Sequence, residues 1–461
     1  MDLSEKTALI SSESIRKRTG LSVAYATMCI VDVFGVFPLV ALPYAIIKCG
    51  FLGIPLIILI CGLQIYTAIL LGRCWLLMED VDPSIRSKRR YPYSALAQAA
   101  YGKTVAAFIT FLVNIGIFSA SIPNLIVASQ NLQLLGENVG GGSVKISYCS
   151  WIIIVGVAIC PFLWLGSPKD IKHLSTLSGI IVLSVFGLIL FNMLIVTQET
   201  SDKRPLFTEN FSLWEILLSA YGMLTFQFDI HPTILNIHLD MKNRKSIGKA
   251  LIGAYSVTIA LFGIIAIVAT IVLGDNLQPS ILESLTITNS LHVAAFLVAI
   301  QLCTSSAICN NSLYQQIEES LGISKDFTWK RCVVRTLLTI ITIIVSESVP
   351  RFDLVMSFVG AALTGPLAFI FPPLFYLRIA RKTCSQQSVL IMTHPFRNES
   401  PLAEKNITIN QEKDKSTCEI YFCVVIVIIG LLMTGLSTYH NFVTNIQYLT
   451  FSPPCIYNFT T

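Results

Sequence analysis

The sequence predicts an all-α polytopic membrane protein with eleven transmembrane helices, of which the first and the sixth are broken. Three observations carry that prediction: the composition, the recurrence of apolar runs and a one-sided distribution of Lys and Arg. Of 461 residues, 54% are hydrophobic and only 13% charged, against roughly a quarter charged in a soluble domain. The mean hydropathy is +0.69. Runs long enough to cross about 30 Å of hydrocarbon, about 20 residues each, recur at 21–48, 51–77, 104–135, 149–166, 171–198, 211–239, 247–273, 289–320, 332–350, 353–380 and 419–442.

Orientation follows from the basic residues. With the N-terminus inside, 27 of the 32 Lys and Arg fall on the cytoplasmic side, and only Lys48, Lys145, Lys203, Arg204 and Arg351 fall outside. That alternation, held over eleven spans, is what the positive-inside rule requires. The net charge of +5 therefore reports topology rather than nucleic-acid binding. The chain divides into a cytoplasmic N-terminal tail (1–20), a transmembrane domain (21–442) and an extracellular or lumenal C-terminal tail (443–461). Arg16, Lys17 and Arg18 precede the first span, and no short apolar core with a small-residue cleavage site follows, so the first helix is read as retained. The basic clusters of the 78–103 and 381–418 loops are topology determinants that also attract anionic headgroups.

Shorter signals agree. Two glycosylation sequons, at Asn210 and Asn458, fall in predicted outer segments. Most of the 13 cysteines lie within spans, where Cys behaves as a small apolar residue. Cys149 and Cys455 lie on the outer side and are candidates to pair. No Cys/His set has zinc-ligand spacing, and no metal or cofactor is implied. Glu5, Leu9 and Ile10 form an acidic dileucine pattern of the kind that directs endosomal or lysosomal sorting.

The stretch from Gly35 to Gly53, which runs from the first span into the second, contains Gly35, Pro38, Pro43 and Gly50 among good helix formers, each of which weakens or breaks a helix. The sixth span interrupts its apolar run with Gln227, Asp229, His231 and Pro232. A break inside a membrane leaves N–H groups free at one half-helix and C=O groups at the other, and lipid satisfies neither. The positive end suits a carboxylate and the negative end an ammonium or a cation. Two breaks side by side match a zwitterionic amino acid, and breaks five spans apart are the mark of an inverted-repeat secondary transporter.

Ionisable residues inside spans are costly and functional by default. Asp32 lies three residues before Gly35, Asp229 and His231 flank the second break, and Glu347 lies near the outer end of its span, where it is expected to be solvated. A buried carboxyl or an imidazole takes up and releases a proton as access alternates, so Asp32 and His231 are the proton-coupling candidates. The binding region is expected at Gly35, Phe37, Pro38, Phe226, Gln227, Phe228 and Asp229. Thr304 and Ser305 on the eighth span, with Asp32, form an alternative cation site; small polar residues in such helices also serve close packing. There is no P-loop, no nucleophile elbow and no H-E-x-x-H, so neither enzymatic chemistry nor ATP-driven pumping is expected.

Several segments resemble the amino acid/auxin permease family, in particular its vesicular inhibitory and vacuolar amino acid transporters. They are Leu42-Pro43-Tyr44-Ala45-Ile46 with Gly50 to Gly53, Tyr93 to Gly102, Phe226 to His231 with Asp240-Met241-Lys242, and Phe371 to Tyr376. The resemblance implies a leucine-transporter-type five-plus-five inverted repeat and proton-coupled, less often sodium-coupled, amino acid transport. It also implies substrate at the unwound parts of spans one and six, and a cation, where used, between spans one and eight. Many members have G-[ST]-G where this chain has Val36-Phe37-Pro38, and a small residue where it has Asp229. The expectation is thus a proton-coupled transporter of small or neutral amino acids, in the plasma membrane or an endosomal, lysosomal or vesicular membrane. The alternatives are a sodium symporter and an amino acid sensor on the same fold.

Overall fold

The structure, a computed structural model, describes residues 20–82, 84–85, 91–139, 146–164, 168–196, 212–323, 327–349, 351–393 and 402–448. Seven of its helices are long and apolar enough to cross a membrane: Gly53–Val81, Lys103–Gly136, Thr176–Ile195, Arg244–Val272, Asn289–Ser320, Phe352–Lys382 and Thr417–Thr444. Val23–Phe34 and Phe37–Ile47 form an eighth crossing, bent by 60° at the break.

The other three predicted spans are helical but depart from a uniform apolar rod. The fourth is only 17 residues, Tyr148–Trp164. The sixth is divided into Leu213–Gln227 and His231–Asp240. The ninth, Trp329–Ser348, buries Arg331, Arg335, Thr339, Thr342 and Ser346. Those five recur at three- and four-residue steps, so they share one face of the helix.

The sequence sets local ends. Ser22 caps the first helix by accepting from Tyr25 N–H at 3.2 Å, and Ser212 and Glu215 form a capping box at the start of the sixth span. The tenth span relaxes into π-helical turns at Gly360–Thr364 and Pro366–Ile370, where proline removes a backbone donor. Gly222 and Gly360 let the sixth and tenth spans touch backbone to backbone, and a Cβ on either would collide with the other chain segment.

Packing places both broken helices in the centre. The first half-helix lies on the fifth and seventh spans, the eighth span lies on the third and fifth, and Leu213–Gln227 lies on the tenth and eleventh. Among the described residues, most ion pairs gather at the predicted cytoplasmic ends. Arg244 pairs with Glu79 at 2.7 Å, Arg73 with Glu419 at 2.5 Å, and buried Arg335 with Glu318 at 2.6 Å. On the same side Leu21 N–H donates to Asp240 O at 2.8 Å and Lys242 N–H donates to Leu21 O at 2.9 Å. This two-bond backbone bridge ties the start of span one to the end of span six.

Two expectations change or fall elsewhere. Glu347 is not solvated: it is 4% exposed, and neither carboxylate oxygen has a hydrogen-bond partner. The last turn of the ninth span turns it into the protein instead of outward. Cys149 is disulfide-bonded, while Cys455 lies outside the described residues, as do Asn210, Asn458, Glu5, Leu9 and Ile10.

Candidate functional site: the two helix breaks

At the first break Gly35 has φ +62°, in a region that only glycine occupies without strain. Its N–H closes the preceding half-helix onto Val31 O at 3.0 Å. The next orphan donor, Val36 N–H, is taken by the Oε1 of Gln301 at 3.2 Å, and Gln301 Nε2 donates onward to Ser178 Oγ at 3.2 Å. Gln301 is fully buried. A Cβ on Gly35 would lie 2.6 Å from its Nε2, so the glycine makes room for the amide as well as for the turn. Pro38 has no N–H to offer, and Phe37 is buried with its ring 6.4 Å from that of Phe352.

The second break is closed by its own residues and by two neighbours. Asp229 Oδ1 accepts from His231 N–H at 3.2 Å, capping the half-helix His231–Asp240, whose second residue is Pro232. Phe228 O accepts from Tyr255 Oη at 3.0 Å. The Phe228 ring is fully buried among Phe34, Tyr255 and Phe262, which makes it a core element. Thr364, from the π-helical part of span ten, donates to Asp229 Oδ2 at 3.5 Å.

His231 is fully buried. Its Nε2 lies 2.9 Å from Thr67 Oγ1, and the Thr67 hydroxyl donates to Leu63 O at 2.9 Å. A hydroxyl has one proton to give, so Thr67 accepts from His231 and Nε2 carries the hydrogen. Nδ1 then faces Asp229 Oδ1 at 3.7 Å. A lone pair toward a carboxylate is repulsive, and one proton on either partner makes the contact attractive. Nδ1 makes no hydrogen bond.

Polar groups extend from this point into the second span. Gln64 Nε2 donates to Thr225 O at 3.0 Å, whereas Gln64 Oε1, Thr225 Oγ1 and both amide atoms of Gln227 are buried without a partner. Phe226 is half-buried beside Gly360. On the eighth span Thr304 and Ser305 lie one turn beyond Gln301. Cys309 lies a turn further along the same helix. Asp32 itself is 3% exposed.

Sequence reasoning identified the break residues but missed Gln301, Thr67, Tyr255, Gln64 and Thr364. A lone amide in an apolar run (Ile300-Gln301-Leu302) was the available signal. A mostly apolar cavity of about 30 Å³, room for about two waters, lies apart from the breaks, between spans three, four, eight and nine. Ser121, Asn124, Ser306, Asn310 and Tyr314 line it.

Comparison with known proteins agrees with this architecture. The chain is 23% identical over 396 residues to the Arabidopsis thaliana amino acid transporter AVT1C, covering 84% of this chain and 68% of that one. It is 24% identical over 364 residues to a Xenopus tropicalis vesicular inhibitory amino acid transporter, covering 75% and 68%. The crystal structure of MhsT in complex with L-phenylalanine superposes with a TM-score of 0.53 at 12% identity, over 90% of this chain and 98% of that one, which shows a shared fold. Residues 19–396 match the family described as transmembrane amino acid transporter protein, and the chain belongs to that family.

Proposed function

We propose that the protein is a proton-coupled secondary transporter of amino acids, built as a five-plus-five inverted repeat and working by alternating access. The N-terminus is cytoplasmic and the membrane is plasma, endosomal, lysosomal or vesicular. The substrate is bound between the two breaks by Gly35, Phe37, Phe226, Gln227 and Asp229. The observation that carries the proton assignment is the Thr67–His231–Asp229 chain at the second break, where a fully buried imidazole meets a carboxylate at 3.7 Å. A titrating pair between two half-helices changes charge where the helix ends meet the substrate, so protonation and access are linked. Asp32 is a second proton-coupling candidate.

The test is uptake of labelled amino acids into proteoliposomes with and without an imposed pH gradient. Gradient-stimulated uptake that His231→Gln abolishes supports the proposal; uptake indifferent to the gradient refutes the proton coupling. Loss of uptake when sodium is replaced by choline favours instead a sodium site near Asp32, Thr304 and Ser305. Binding without turnover favours a sensor.

A further inference from the structure

The two breaks offer unequal accommodation to the two ends of an amino acid. A carboxylate is attracted to free N–H groups at half-helix N-termini. Here Val36 N–H is already bonded to Gln301, His231 N–H is bonded to Asp229, and Pro38 and Pro232 contribute no N–H. A positively charged group meets the opposite situation. Each interrupted span carries an acidic side chain beside its break, Asp32 and Asp229. No Lys or Arg occurs in 23–47 or 213–239, the two interrupted spans.

Asp229 is also accessible. Its side chain is 21% exposed, although its neighbours Phe228, Ile230 and His231 are fully buried. The groups facing it are the His231 N–H and imidazole and the Thr364 hydroxyl, with Tyr93, Tyr255 and Cys309 in electrostatic reach. None of these is a permanent cation. Two residues away, Gln227 is 4% exposed with both amide atoms unpartnered, a buried polar group that a ligand would satisfy.

The geometry points to a site selective for substrates of net positive charge, basic amino acids, with the Asp229 carboxylate as counter-ion to the extra ammonium or guanidinium. This inference rests on the proposed placement of the substrate between the breaks. It replaces the expectation of neutral substrates, which came from family resemblance and not from this chain's Asp229. A cationic substrate there competes with the His231 N–H and imidazole for one carboxylate.

The experiment is competition uptake in proteoliposomes with lysine, arginine, alanine and the carboxylate-free diamine cadaverine. Lysine and arginine are expected to outcompete alanine by about tenfold or more, equivalent to about 1.4 kcal/mol. Asp229→Asn keeps the size and the oxygen that caps His231 N–H, and it is expected to erase that ratio while Asp229→Glu preserves it. Preference for alanine in the unmodified protein, or an unchanged ratio in Asp229→Asn, overturns the inference and leaves the amino acid transport proposal standing. Uptake of cadaverine with no amino acid of any charge overturns both. If the Asn variant does not fold, the wild-type ratio alone decides. No uptake of any probe overturns both.

Discussion

The two helix breaks solve one problem with different chemistry. The first is closed by a neutral amide from another helix: Gln301 reaches Val36 N–H across 265 positions of sequence, and the break itself carries no charge. The second is closed from within by Asp229 and contains a fully buried imidazole. The first break is steric, specified by Gly35 and the amide beside it. The second is electrostatic. Interrupted helices in one bundle therefore need not be closed by the same chemistry.

The variants that test this contrast fall in order of size. His231→Gln is expected to lower pH-driven uptake to that of protein-free vesicles while leaving folding intact, measured by uptake beside thermal unfolding. Comparable loss of folding would place His231 in the structural framework. Gly35→Ala is expected to destabilise by about 1–3 kcal/mol through its backbone region alone, with further loss from the collision with Gln301, read as a lower Tm. An unchanged Tm would show that the first break is soft. Gln301→Leu leaves Val36 N–H buried and unbonded, a cost of about 1–3 kcal/mol, and is expected to weaken uptake without changing its pH dependence. A shifted pH profile there would erase the distinction between the breaks. Tyr255→Phe removes one hydrogen bond to Phe228 O and is expected to cost about 0.6 kcal/mol, the average for such bonds in membranes.

Much of this was legible in the sequence because breaks are written in punctuation. Gly35, Pro38, Asp229 and Pro232 mark both interruptions to within a residue or two, and the predicted spans are helices. The partners were not legible. Membrane helices are apolar on the lipid and protein sides alike, so periodicity does not say which face meets which neighbour. Gln301 and Thr67 acquire meaning only when packing sets them against residues over 160 positions away. Glu347 shows the same limit: a position near a span's end does not reveal that the side chain turns inward.

The bridge between Leu21 and the Asp240–Lys242 segment uses main-chain atoms for both of its hydrogen bonds. Such a fastening is blind to side-chain identity, so ordinary substitutions at Leu21, Asp240, Met241 or Lys242 leave its donors and acceptors in place. Proline at Leu21 or Lys242 deletes a donor, and any side chain at Gly20 intrudes on Lys242 N, 2.8 Å from where its Cβ would sit. The main chain at Leu21 is thus held to the end of the sixth span whatever side chains the two segments carry.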